Sequence, residues 1–123
     1  MNPSILEIKD LSLSIPHGGE KILEGITLEI RRKKITGIVG ESGSGKSMTA
    51  LAVMDLLPPG IIKTGGEIVF SPANQSISLG ELNKRERQAL RGTKISMIFQ
   101  EPMTSLNPSM KCGTQVDEVI RKH

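Results

Sequence analysis

A glycine-rich octapeptide constrains this chain more than any other feature. Its sequence, Gly-Glu-Ser-Gly-Ser-Gly-Lys-Ser over residues 40–47, matches the pattern G-x-x-x-x-G-K-[ST]. Glycines allow successive backbone N–H groups to converge on one concavity, and a helix that starts there adds a partial positive charge. The motif therefore predicts a phosphate-binding loop between a strand and a helix. The residues predicted to bind the phosphates are Gly40, Glu41, Ser42, Gly43, Ser44, Gly45, Lys46, Ser47 and Met48.

The segments on either side of this loop have the character that the motif requires. Residues 35–39 are apolar without alternation, which is typical of a strand buried on both faces. Residues 46–57 carry an apolar stripe and end at Pro58-Pro59-Gly60, which predicts an amphipathic helix. Lys46 is expected to reach the β- and γ-phosphates, and the Ser47 hydroxyl to coordinate Mg²⁺. The alternative is a glycine-rich turn that matches the motif by accident. This alternative does not explain why a predicted strand precedes the loop and a predicted amphipathic helix follows it.

The remaining pattern predicts an α/β fold. Alternating side chains over residues 5–15 and 22–30 indicate two antiparallel strands joined by a turn. Later elements are predicted as a strand at 66–70, a polar helix at 79–90, a second buried strand at 95–99 and the start of a helix at 116–121. The expected architecture is a P-loop core sheet joined to the antiparallel strands.

Composition excludes several classes of function. A net charge of +3 gives no sign of a nucleic-acid partner, and two Phe without Tyr or Trp provide no stacking platform for single strands. No apolar run approaches the roughly 20 residues that cross a bilayer. The one cysteine, Cys112, fits a reducing compartment, so a cytoplasmic setting is expected.

Gln100 directly follows the second predicted buried strand. Ligands of open α/β sheets lie outside the carboxyl ends of the strands, so Gln100 is expected near the phosphates. Its amide oxygen can ligate a hard cation or orient a water molecule. From the residues alone, a polar side chain that merely caps a strand is an equal alternative.

The phosphate loop taken together with Phe99-Gln100-Glu101-Pro102 resembles the ATP-binding subunit of an ABC transporter. The extension Met103-Thr104-Ser105-Leu106-Asn107-Pro108 is similar to the subfamily that imports oligopeptides, dipeptides or nickel. The resemblance covers essentially the whole chain. It implies one nucleotide-binding domain, with an antiparallel β subdomain at 5–32, a P-loop core at 35–100, and a glutamine loop with the start of a helical subdomain at 101–123.

The resemblance also implies ligands and partners. ATP would bind at the phosphate loop, with Mg²⁺ held by Ser47 and Gln100. Residues near 100–110 would contact transmembrane subunits of the importer, and a second ATP-binding subunit, identical or paralogous, would complete the ATPase. Such a protein lies at the cytoplasmic face of the membrane as a peripheral subunit.

Some elements of the family do not occur in these 123 residues. They contain no signature loop of the LSGGQ type, no strand that ends in Asp-Glu and no switch histidine, so no catalytic residue is assigned. The chain is therefore expected to be the N-terminal part of such a subunit. The alternative is a truncated fragment that binds nucleotide weakly, or docks on a membrane partner, without turnover. A further alternative is a small P-loop kinase or GTPase. That class needs an acidic residue after a later strand, and the only candidate, Glu101, is followed by proline.

A final departure concerns the nucleotide base. Ile15 stands where the family usually has an aromatic residue that stacks on adenine. An aliphatic side chain packs on a purine but lacks the quadrupole-driven contribution of an aromatic ring. The resemblance therefore implies a weakened preference for adenine.

Overall fold

One antiparallel sheet organises the part of the chain that the computed structural model describes, residues 3–100. Its four strands lie in the order β2-β1-β3-β4. In chain order the elements are β1 (Ser4–Ser14), β2 (Lys21–Arg31), α1 (Lys46–Met54), β3 (Ile62–Phe70), β4 (Ile77–Ser78), a 3₁₀ turn (Leu79–Glu81) and α2 (Lys84–Leu90). The predicted pair of antiparallel strands is confirmed, and β3 and β4 extend it. The helix start expected at 116–121 lies outside the described residues.

A bulge in β1 lets both halves of this central strand bury their apolar side chains. Asp10 has a left-handed φ of 54°, and the register with β2 shifts between Ile8 and Leu11. An extra residue changes which face the following side chains occupy. Side chains at even positions therefore face the core before the bulge, and side chains at odd positions face it afterwards. The buried apolar cluster of the sheet consists of Leu6, Ile8, Leu11, Leu13, Leu23, Ile68 and Phe70.

The edge strand β2 has one face on the core and one in solvent, as its alternation predicts. Ile26, Leu28 and Ile30 pack against the buried cluster, whereas Thr27 and Glu29 are exposed. Hydrogen bonds from Ser4 and Arg31 hold the pKa of the Glu29 carboxyl below its ordinary value. This edge contact is therefore present at neutral pH and is lost when acid protonates the carboxylate.

Arg32 ties the end of β2 to the end of β3. Its guanidinium donates hydrogen bonds to the backbone carbonyl of Ser71, to that of Pro72 at 3.4 Å and to that of Ala73 at 3.2 Å. Its own backbone N–H donates to the Pro3 carbonyl at 3.0 Å. Within the charged run of residues 31–34, Arg32 thus closes the sheet at this end.

The two segments predicted as buried strands are not strands in the structure. Residues 35–39 and 96–99 have no regular secondary structure, and Ile35, Val39 and Ile98 are more than nine-tenths exposed. A strand forms only where a neighbour accepts and donates its backbone hydrogen bonds, and no strand within residues 3–100 does so here. An apolar cavity of about 220 Å³ lies beside them, between the sheet and α1. The four-stranded sheet with its two helices is consistent with the predicted α/β class in its incomplete form.

Both helices are shorter than predicted. α1 ends where Asp55 takes a left-handed conformation with a φ of 57°, instead of continuing to Leu57. The predicted helix over 79–90 is divided, because Asn83 caps a new helix. The backbone N–H of Glu86 donates to Asn83 Oδ1 at 2.9 Å, and Glu86 Oε1 accepts from the Asn83 backbone at 3.2 Å. Asn-x-x-Glu is a capping box, and it sets the start of α2.

We expect Gly66→Ala to destabilise the fold by more than about 1 kcal/mol. Gly66 has a φ of 91°, and a Cβ there would lie 2.6 Å from the carbonyl carbon of Asp10. Urea unfolding measures the effect. The matched control is Gly65→Ala, because a Cβ at Gly65 meets nothing within 4 Å and its φ is not positive. Equal unfolding midpoints for the two variants would show that the close approach of Gly66 to Asp10, the residue at the β1 bulge, does not matter for stability.

Candidate phosphate-binding site

The glycine-rich loop leads directly into the N-terminus of α1. Gly45 is the residue before the helix, with a left-handed φ of 97°, and no side chain caps the first helical N–H groups. Gly43 also has a positive φ, of 83°. Glycine adopts this conformation without steric cost. The helix therefore begins with backbone donors that no side chain occupies, at the positive end of its dipole.

Packing against the sheet determines where this helix starts. A Cβ on Gly45 would collide with Leu23 Cδ2, and Leu23 belongs to the buried cluster of the sheet. Gly45 therefore has two reasons to be glycine, its backbone conformation and its close approach to β2. This contact places the end of the loop against the antiparallel sheet.

Thr49 fixes the junction between loop and helix from inside. It is 6% exposed, and its backbone N–H and its hydroxyl both donate to the Gly45 carbonyl, at 3.0 and 2.8 Å. Thr49 lies outside the phosphate motif and was not among the predicted site residues. The only available signal was a threonine one turn into the helix, where its hydroxyl can bond back to a carbonyl four residues earlier.

Lys46 turns back into the loop that precedes it. Its ammonium donates to the carbonyl of Gly40 at 2.5 Å, to that of Glu41 at 2.7 Å and to the Ser44 hydroxyl at 3.3 Å. The backbone N–H of Ser44 donates to the Glu41 carbonyl at 3.1 Å and closes the turn. The loop thus holds a positive charge beside uncapped helical N–H groups, which is the arrangement that binds a polyanion.

The other predicted site residues fall into different environments. Ser47 is exposed in the first turn of α1, beside Lys46. Met48 packs its side chain against the core, so only its backbone faces the loop region as a donor. Gln100 is exposed at the end of the irregular segment, and within residues 3–100 no hydrogen bond joins it to the loop. The structure therefore brings Gly40, Glu41, Ser44 and Lys46 together through hydrogen bonds.

The residue types around the loop suit a hard cation held partly by a bound ligand. No group of three or more His, Cys, Asp or Glu side chains is close enough to hold a metal ion in residues 3–100. The oxygen atoms available as ligands in the loop are the Ser42, Ser44 and Ser47 hydroxyls, the Glu41 carboxylate and backbone carbonyls. Mg²⁺ is commonly bound in this way, by one or two protein oxygens together with phosphate oxygens and water.

No helix among the described residues is long and apolar enough to cross a membrane.

Comparison with known proteins identifies the family to which this loop belongs. The ABC transporter family matches residues 23–122. The oligopeptide transport ATP-binding protein OppD of Bacillus subtilis is 47% identical over 97% of this chain. The probable D,D-dipeptide transport ATP-binding protein DdpD of Escherichia coli is 46% identical over 100% of the chain, and the glutathione import ATP-binding protein GsiA of Salmonella typhimurium is 42% identical over 97%. These matches span 33%, 37% and 20% of the relatives' own lengths.

We expect Lys46→Ala to loosen the loop even without a ligand. The variant loses three hydrogen bonds that join the two ends of the loop, so the amide of Ser44 should exchange its hydrogen faster. Hydrogen–deuterium exchange of the peptide that spans 40–45 measures this change. Lys34→Ala is the control, since Lys34 is exposed and makes no hydrogen bond or ion pair within residues 3–100. Unchanged exchange in Lys46→Ala would show that the lysine does not order the loop.

Proposed function

The chain belongs to the ABC transporter family, and we propose that it supplies the ATP-binding, energy-coupling function of an importer for peptides or nickel. The observation that carries the proposal is the loop of residues 40–47, with Lys46 inside it and an uncapped helix N-terminus behind it. The printed names of three relatives refer to oligopeptides, D,D-dipeptides and glutathione, which are all peptides. These names support a peptide as the transported solute. Nickel is supported by the resemblance of residues 103–108 alone.

Binding of the nucleotide phosphates would exchange one set of acceptors for another. The Lys46 ammonium leaves the carbonyls of Gly40 and Glu41 and pairs with phosphate oxygens, while the first N–H groups of α1 donate to them. Ser47, and Gln100 from the following loop, would hold Mg²⁺, which neutralises phosphate charge when bound. The chain's own contribution is therefore to position the phosphates and stabilise their charge.

Hydrolysis requires more than these residues provide. In this family the attacking water is activated by a carboxylate at the end of an Asp-Glu strand, and no strand within residues 3–100 ends in Asp-Glu. We propose that residues 1–123 form part of one nucleotide-binding domain, divided as the sequence indicates at 5–32, 35–100 and 101–123. Transport-coupled hydrolysis then depends on groups that these residues do not supply.

A second candidate is a non-catalytic fragment that binds nucleotide weakly or docks on a membrane partner. The observation in its favour is the exposure of Ile35, Val39 and Ile98, which leaves the core beside the phosphate loop unfinished. The intact mass of the native protein separates the two candidates. A mass near 13.3 kDa supports the fragment, and a mass far above it supports the N-terminal part of a complete ATPase.

The partners follow from the same proposal. Transmembrane subunits would contact residues near 100–110, and a second ATP-binding subunit, identical or paralogous, would complete the ATPase. The chain would then be a peripheral protein at the cytoplasmic face of the membrane, without a nucleic-acid partner. Residues 101–110 lie outside the described part of the chain.

We expect Lys46→Ala to lower ATP affinity by roughly ten- to a hundredfold, because it removes a charge-assisted contact with the phosphates. Titration calorimetry with ATP, with and without Mg²⁺, gives the affinity. Lys34→Ala makes the same change of charge at an exposed position away from the loop and should bind as the parent does. Equal affinity of Lys46→Ala and the parent would refute the assignment of the phosphate loop.

We expect the chain to distinguish ATP from GTP only weakly. Ile15 is 41% exposed at the end of β1, on the hairpin that carries Leu23, and Leu23 touches Gly45 of the loop. Ile15→Tyr should raise ATP affinity by about two- to tenfold through aromatic stacking. Leu56→Tyr, at the far end of α1, is the matched control and should have no effect. A strong ATP preference in the parent chain would show that another group reads the base.

A further inference from the structure

A second cavity lies at the opposite end of α1 from the phosphate loop. It measures about 210 Å³ and is enclosed by the last turn of α1, by β3 and by α2. Most of its wall is apolar, formed by residues that include Val53, Leu57, Ile68, Leu79 and Leu90. Ala52, the lining residue of α1 nearest to the phosphate loop in sequence, is six residues after Lys46, which corresponds to about 9 Å along the helix.

The charged side chains on this wall are unequal in sign. Three cations, Lys63, Arg87 and Arg91, face one carboxylate, Asp55. That carboxylate is already engaged, because its Oδ2 lies 2.7 Å from Arg87 Nη1. Lys63 and Arg91 have no ion pair within residues 3–100. The cavity therefore carries an excess of two positive charges next to apolar surface.

Two guanidinium nitrogens of this group also lack acceptors. The Nε atoms of Arg87 and Arg91 are buried, and neither has a hydrogen-bond partner. Arg87 lies on α2, and Arg91 directly follows the helix four residues later. Both line the same cavity, where their like charges repel. The Lys63 ammonium approaches the same region, since a Cβ on Gly80 would lie 3.2 Å from it and the Gly80 carbonyl accepts from Arg87 at 3.4 Å. An anion among these three cations would reduce the repulsion between them and would supply the missing hydrogen-bond acceptors.

We propose that this cavity binds a small organic carboxylate with a short apolar body. The carboxylate would lie against Lys63 and Arg91, and the apolar body would occupy the space between Val53, Leu79 and Leu90. The volume equals that of roughly seven water molecules, which suits a short acyl chain. The proposal does not depend on nucleotide binding, because none of these residues belongs to the phosphate loop.

Calorimetric titration of the purified chain with hexanoate tests the proposal. We expect saturable binding to one site with a dissociation constant in the millimolar range. Hexan-1-ol, which keeps the apolar body and lacks the charge, should bind at least about tenfold more weakly. Lys63→Gln and Arg91→Gln should each weaken hexanoate binding several-fold. Arg85→Gln is the matched control, because Arg85 lies on α2, is exposed and does not line the cavity.

Three outcomes would overturn the proposal. Absence of saturable hexanoate binding removes the site. Equal binding of hexanoate and hexan-1-ol shows an apolar cavity with no role for the cations. Loss of hexanoate binding in Lys46→Ala, with retention in Arg91→Gln, places the anion at the phosphate loop instead. Thermal melting of each variant, followed by circular dichroism, separates loss of the site from loss of the fold.

Discussion

Gly45 has no side chain, and Leu23 fills the space that a side chain there would occupy. This contact joins the glycine-rich loop to the sheet, and the position of the loop and of the start of α1 depends on it. Leu23 is buried in the cluster centred on β1, so its position is determined by the packing of the whole sheet. Gly45 in turn sets the start of α1 and the direction in which its first N–H groups point. The site is therefore built on the antiparallel sheet, although no residue of the sheet belongs to the phosphate motif.

The charge of Lys46 is compensated before any ligand arrives. In the proposed function, phosphate oxygens would replace the three hydrogen bonds that Lys46 makes to the loop. The net contribution of this lysine to binding is consequently a difference between two sets of hydrogen bonds, and it is smaller than the strength of the new contacts alone. In exchange, the loop is held in a defined shape without a ligand, which reduces the ordering cost of binding.

Local patterns predicted much of this arrangement, and contacts between distant residues account for most of what they missed. The phosphate motif, the alternation in β1 and β2 and the helix after the loop could be read from neighbouring residues. The clamp of Arg32 on the Ser71 carbonyl and the pairing of Arg87 with Asp55 join residues more than thirty positions apart, and no local signal indicates them. Residues 35–39 and 95–99 have the composition of buried strands. A strand also needs a neighbour to pair with, and residues 3–100 do not provide one.

The order of the strands has a consequence for how the site is assembled during folding. β1 and β2 are joined by a short turn, so their pairing is local and fast. β3 must return to pair with β1 on the other side, and the chain between β2 and β3 contains the phosphate loop and all of α1. Closing that long segment costs entropy before its contacts form. The segment proposed to bind phosphate thus lies inside the longer of the two closures of the sheet, between β2 and β3.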